Sequence, residues 1–230
     1  MKLLGLQKLT LLDFPGKMAC TVFTGGCNFR CPFCHNASLV VNPSEQDVLP
    51  VEEFFAFLKG RKGLLDGVCV SGGEPLIQPD IEEFISRIKS MGFLVKLDTN
   101  GSYPETLKSL IHNKLVDYVA MDIKNSKESY YKTCGTDKID MSRMEMSAAL
   151  LMEGHVPYEF RTTVVKELHK ESDFIKIGKW LSPDSPYFLQ EFVDSGDIIG
   201  TGFTSYKKED MEKFAKILRK TLKKVEIRGM

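Results

Sequence analysis

Short apolar runs rich in valine, isoleucine and aromatic residues recur along the chain, and between them apolar positions repeat every three or four residues. The runs predict strands at 18–24, 67–71, 93–98, 118–122, 158–165 and 187–192. Val51, Phe54, Phe55 and Leu58 share one helical face, and Ile81, Phe84, Ile85 and Ile88 repeat it before Gly92 stops the turn. Ser102 and Glu105 predict a capping box ahead of Leu107, Leu110 and Ile111. Met144, Ala148 and Leu151 mark a fourth helix, and Phe174, Ile177 and Leu181 a shorter fifth. Met211, Phe214, Ala215, Leu218 and Leu222 mark a sixth. Strands alternating with helices imply an α/β fold with a parallel sheet and right-handed crossovers; six such units give a partial (β/α)6 barrel. A single domain is expected over 1–230: an N-terminal extension at 1–17, the barrel at 18–200, and a C-terminal helix and tail at 201–230.

A chain of 230 residues is long enough for one well-packed domain and short for two. Lys plus Arg equals Asp plus Glu at 31 each, so no overall field draws it to nucleic acid or an anionic membrane. Lys207, Lys208, Lys213, Lys216 and Lys220 are interleaved with Glu209, Asp210 and Glu212, the pattern of a solvated helix face. Gln7 and Lys8 interrupt the apolar opening run, no small-residue cleavage site follows, and no stretch reaches the length of a membrane span. A cytoplasmic chain with reduced thiols is expected. Cys20 and Cys69 lie inside apolar runs and read as small buried hydrophobes, and Cys134 stands apart.

Candidate chemistry changes this picture at one loop. Residues 26–36 place Cys27, Cys31 and Cys34 after a glycine, with no fourth cysteine. Structural zinc closes a tetrahedron of four ligands, whereas three cysteines on a 4Fe-4S cluster leave one iron open to a small molecule. Zinc would need His35, whose neighbour Cys34 makes convergence on one ion difficult; a disulfide would need an oxidising compartment. In parallel α/β folds ligands collect at the carboxyl ends of the strands. There this chain carries the cysteine loop, then Gly72, Gly73 and Glu74, then Asp98, Thr99, Asn100 and Gly101, then Asp122 and Lys124. Arg161, Thr162 and Thr163 lie on the fifth predicted strand, and Gln190, Glu191 and Phe192 end the sixth. The glycine pair fits either a tight turn or a backbone surface for a ligand, and Glu74 can accept from an ammonium. Asp98 and Asp122 could equally cap the helices that follow, and Lys124 could be solvated. No serine–histidine or paired-carboxylate constellation is evident, and His112, His155 and His169 are read as structural or exposed.

Cys27-x3-Cys31-x2-Cys34 with Phe33 before the last cysteine, followed by Gly72-Gly73-Glu74-Pro75, resembles the radical S-adenosylmethionine superfamily over nearly the whole chain. His35-Asn36, the segment 98–101 and Asp122-Ile123-Lys124 resemble the glycyl-radical-enzyme activases. Residues 5–16 and 225–229 most resemble the longer form of anaerobic ribonucleoside-triphosphate reductase activating protein. The resemblance implies an enzyme that cleaves S-adenosylmethionine reductively at a 4Fe-4S cluster and places a glycyl radical on a partner, most naturally anaerobic ribonucleotide reductase. Flavodoxin or ferredoxin would donate the electron. It implies Cys27, Cys31 and Cys34 as cluster ligands, with Gly72, Gly73 and Glu74 at the methionine ammonium. Asp98 would meet the ribose or a cation, and Lys124 the carboxylate. Phe33 and Asn36 would flank the adenine, with Phe192 on its other face, and Asp98, Thr99 and Asp122 would surround a monovalent cation. Pyruvate formate-lyase activases carry histidine in place of Phe192, and the interval 36–70 lacks the inserted cysteine motifs of several other activases. The alternative within the superfamily is a small-molecule enzyme such as 7-carboxy-7-deazaguanine synthase; outside it, a non-catalytic metal-binding module.

Overall fold

The computed structural model describes residues 1–194 and 196–229. One sheet of eight strands runs through them in sequence order: β1 (Leu3–Thr10), β2 (Ala19–Thr24), β3 (Gly67–Gly72), β4 (Leu94–Thr99), β5 (Tyr118–Asp122), β6 (Tyr158–Val164), β7 (Pro186–Glu191) and β8 (Lys224–Arg228). β1 is antiparallel to β2, and every later pairing is parallel. Among the described residues β1 and β8 do not pair with each other, so the barrel is partial.

The predicted strands are β2 to β7, with ends within one residue of those expected. The pattern predicts neither β1 nor β8, which draw the extension and the tail into the same sheet. Only Leu3 and Thr10 of β1 are buried, and only Val225 of β8, so neither strand shows a continuous apolar face. Charged, weakly apolar strands at sheet edges resist pairing with other chains.

The helices are α1 (Ala37–Val41), α2 (Val51–Lys59), α3 (Ile81–Ser90), α4 (Pro104–His112), α5 (Tyr130–Cys134), α6 (Met141–Met152), α7 (Glu171–Trp180) and α8 (Lys208–Leu218). α1 and α5 are too short for a periodic signature, and the sequence pattern predicts neither. The capping box is not formed. α4 starts at Pro104 with Tyr103 as its N-cap, one residue beyond Ser102, while Ser102 bonds Asn100 and Glu105 pairs with Arg143.

Successive strand residues face opposite sides. Val68, Val70, Val95, Leu97, Val119, Met121, Phe160, Tyr187 and Leu189 join the helices in the apolar core. Their alternates Ser71, Lys96, Asp98, Asp122 and Arg161 bond one another on the inner face, and the Glu159 charge acts on Arg161 from the same side. Period-two patterning therefore delivers a polar inner face whose upper end opens beside the cysteine loop.

No helix among the described residues is long and apolar enough to cross a membrane.

Candidate active site

The cysteine loop is fixed by its own chain before any metal is considered. Gly25 N–H donates to the Lys2 carbonyl at 3.0 Å, Gly26 N–H to Leu39 at 2.8 Å, and Gln78 Nε2 to the Gly25 carbonyl at 2.8 Å. Arg30 folds back to donate to the carbonyls of Cys27 at 2.6 Å and Phe29 at 2.8 Å. Cys27, Cys31 and Cys34 line one cavity of about 240 Å³, together with Phe33, Asn36, Gly72, Gly73, Asp98, Thr99, Asp122 and Lys124.

The glycine pair is required by the chain itself. Gly72 sits at φ +115°, and a Cβ there would meet Thr24 backbone atoms at 2.4 Å; a Cβ on Gly73 would meet the Gly26 carbonyl oxygen at 1.9 Å. This close approach lets Gly73 N–H donate to Thr24 at 3.0 Å and Glu74 N–H to Gly26 at 2.9 Å, stitching the cysteine loop to the end of β3. Asn36 Nδ2 then donates to the Gly72 carbonyl at 2.9 Å.

Glu74 does not face the cavity. Its side chain is fully buried and accepts from Leu76 N–H at 3.0 Å, Thr99 Oγ1 at 2.9 Å and Asn100 N–H at 2.7 Å. Burial, against those hydrogen bonds, pushes its pKa up to about 7. The expected ammonium acceptor is thus a brace between the ends of β3 and β4. Phe192 is also withdrawn. Its ring is 2% exposed, stacked on His35 at 5.5 Å and edge-on to Phe33 at 6.5 Å, so it backs the aromatic wall and offers no face to the cavity.

Across the cavity the ends of β4, β5 and β6 carry an ionic lattice. Asp98 pairs with Lys96 and with Arg161 at 3.2 Å, and accepts from Ser71 at 3.1 Å. Asp122 accepts from Arg161 Nε at 2.6 Å and from Lys124 Nζ at 2.8 Å. Burial alone would raise both carboxyls, but Arg161, with Lys96 at Asp98 and Lys124 at Asp122, outweighs it and holds them below their ordinary range. Burial likewise opposes the Lys124 ammonium, and Asp122 and Cys31 hold it above its ordinary value. The oxygens expected around a monovalent cation lie within this lattice: Lys96, Arg161, Lys124 and Ser71 contact the two carboxylates, and Thr99 Oγ1 donates to Glu74.

Two supporting residues have no place in the site on sequence alone, where His169 reads as structural or exposed and Cys134 as standing apart. His169 is fully buried at the rim; Val165 N–H donates to its Nδ1 at 3.0 Å, leaving Nε2–H for the Lys124 carbonyl at 2.9 Å. Cys134 ends α5 against the loop, and its carbonyl accepts from Arg30 N–H at 2.9 Å. The neighbouring Cys134 thiol holds the Cys31 thiol below its ordinary value against burial. The signal for both was residue type alone, a histidine and a cysteine without motif context.

The donor set fits an iron–sulfur cluster. Phe29 N–H lies 3.3 Å and Asn100 Nδ2 3.8 Å from Cys27 Sγ, donors that suit a thiolate better than a thiol. Burial and the Glu74 charge push free Cys27 up to about 12, so metal binding there must release a proton. Among the described residues no three His, Cys, Asp or Glu gather tightly enough to hold one ion. A cluster asks less, because each cysteine binds its own iron.

Residues 21–181 match the Radical SAM superfamily. The chain belongs to the radical SAM superfamily. Within it the chain falls with glycyl-radical enzyme activating enzymes. It is 33% identical to a Methanocaldococcus jannaschii protein of that description over 97% of this chain and 94% of the relative. It is 34% identical to the pyruvate formate-lyase-activating enzyme of Clostridium pasteurianum over 58% of this chain and 56% of that one. The crystal structure of QueE from Escherichia coli shares the fold at TM-score 0.59 and 15% identity, covering 100% of this chain and 94% of QueE. As a radical SAM enzyme the chain uses a 4Fe-4S cluster and S-adenosylmethionine.

Proposed function

We propose that this radical SAM enzyme activates a glycyl-radical enzyme, and that Cys27, Cys31 and Cys34 hold its cluster. One observation carries the reading: the three thiols of one loop share a single cavity with the carboxyl ends of β3, β4 and β5. When bound, the cluster supplies one electron for reductive cleavage of S-adenosylmethionine, the source of a radical that takes hydrogen from a glycine α-carbon. The chain's own groups bind and orient. The Gly72 and Gly73 backbone offers carbonyl oxygen to the methionine ammonium, and the Lys124 ammonium, held charged by Asp122, receives the carboxylate. Phe33 and Asn36 border the adenine, with Asp98 near the ribose. Phe192 and Glu74 act from behind, through His35 and Phe33 and through Thr99 and Asn100. The partner proposed is anaerobic ribonucleotide reductase, with flavodoxin or ferredoxin as reductant and the cytoplasm as compartment; the likeness of 5–16 and 225–229 to its activating protein supports this choice. The small-molecule alternative gains nothing from QueE, because 15% identity speaks to fold alone.

The test is anaerobic reconstitution, reduction and mixing with S-adenosylmethionine and anaerobic ribonucleotide reductase. A glycyl radical by electron paramagnetic resonance together with 5'-deoxyadenosine is the expected outcome, and Cys31→Ser should abolish both. Turnover of cofactor on a small substrate with no partner protein would overturn the activase reading, and full activity in Cys31→Ser would overturn the ligand assignment.

A further inference from the structure

Asn100 belongs to none of the binding roles above, yet its side chain is held by several hydrogen bonds beside a cysteine of the loop. It is buried at the turn after β4, and its backbone N–H is held by Glu74 at 2.7 Å. Its Oδ1 accepts from Ser102 N–H at 2.9 Å and from the Ser102 hydroxyl. The amide oxygen is therefore committed to Ser102, and the NH2 group must point the other way. One of its hydrogens meets Asn28 Oδ1 at 2.9 Å and the other Cys27 Sγ at 3.8 Å. Asn28 closes the ring by donating its own Nδ2 to Ser102 Oγ at 2.9 Å. Asn28 Oδ1 lies 3.9 Å from the same sulfur and is occupied by Asn100, so neither amide can flip without breaking two bonds.

The geometry points to Asn100 as a positioning residue that aims an N–H at Cys27 and thereby sets the potential of the cluster that Cys27 holds. An N–H directed at a ligand sulfur stabilises the extra negative charge of the reduced state, so it raises the reduction potential. Phe29 N–H makes the same contact from the backbone at 3.3 Å, and Asn100 is the side-chain amide that adds to it. The ring fixes the donor, because Ser102 and Asn28 satisfy every other polar atom of the Asn100 amide. The inference rests on the assignment of Cys27 as a cluster ligand.

The experiment separates the two. Iron and sulfide content of reconstituted Cys27→Ser against wild type tests the ligand assignment, and a redox titration followed by electron paramagnetic resonance tests Asn100. Asn100→Ala should keep its cluster and titrate at a more negative potential than wild type. Asn100→Asp, which replaces the donor with a carboxylate, should shift further in the same direction. Ser102→Ala, which frees the amide to turn, should shift less. A wild-type potential in a loaded Asn100→Ala protein would overturn the proposal. Where Asn100→Ala takes up no cluster, Ser102→Ala replaces it, and a wild-type potential there has the same force. A purely structural role predicts reduced cluster content with the potential unmoved, and that result also overturns it.

Discussion

The wall of the cavity that follows β2 and β3 is built from glycines, thiols and amides, and its geometry is held by backbone hydrogen bonds from Gly25, Gly26, Gly73 and Glu74. The facing wall, at the ends of β4 to β6, is held by Lys96, Arg161 and Lys124 against Asp98 and Asp122. The first wall depends on close approach and the second on charge. A side chain added to the first collides; a side chain removed from the second leaves a buried ion alone.

That contrast can be broken most severely at Arg161, which serves both aspartates. Arg161→Gln should destabilise the protein by about 3–5 kcal/mol in chemical denaturation at neutral pH, the cost of stranding buried carboxylates. A loss below about 1 kcal/mol, the range of exposed pairs, would show that water already screens the lattice. The pH dependence has a definite sign. Asp98 and Asp122 are held below their ordinary 3.8, so their contribution is complete above that pH and is lost only as acid takes them through their lower folded values.

The next effect lies on the brace between the walls and has the opposite sign. Glu74 titrates near 7, above its ordinary 4.5, so its contribution to folding is fully present below 4.5 and is lost as pH rises through 7. The loss amounts to about 3 kcal/mol. Glu74→Gln should flatten that slope when stability is compared at pH 5 and pH 8; an unchanged slope would assign the pH dependence to another group.

The smallest effect belongs to the uncharged wall. Asn36→Ala removes the bond to the Gly72 carbonyl and should cost about 1 kcal/mol in thermal or chemical unfolding. Were the cost as large as that of Arg161→Gln, the division between the walls would fail.

The same contrast explains what could be read from the chain alone. Strands β2 to β7 are apolar on the face toward the helices and carry enough β-branched residues to stand out, and each delivers its motif to one rim. β1 and β8 were hidden because an edge strand with one or two buried residues has little periodic signal. In the site, residue types were legible and directions were not. Glu74 and Phe192 occupy positions from which either the cavity or the protein could be reached, and the choice depends on partners far away in sequence. Ser102 and Glu105 have the spacing of a cap, but the helix begins one residue later, behind Tyr103, and the Asn28–Asn100 pair claims the serine. Local preference yields to the site where both compete for one hydroxyl.

Arg228 of β8 forks onto Glu159 of β6 at 2.8 and 2.9 Å and lies 3.4 Å over the Phe188 ring, while Tyr118 donates to the same carboxylate. During synthesis Glu159 emerges 69 residues before its counterion. Sealing the barrel floor earlier would bury that carboxylate with the Tyr118 phenol as its one side-chain hydrogen-bond donor among the described residues, so the interior should set last, when β8 pairs with β7. A chain cut short before Arg228 should keep that carboxylate wet.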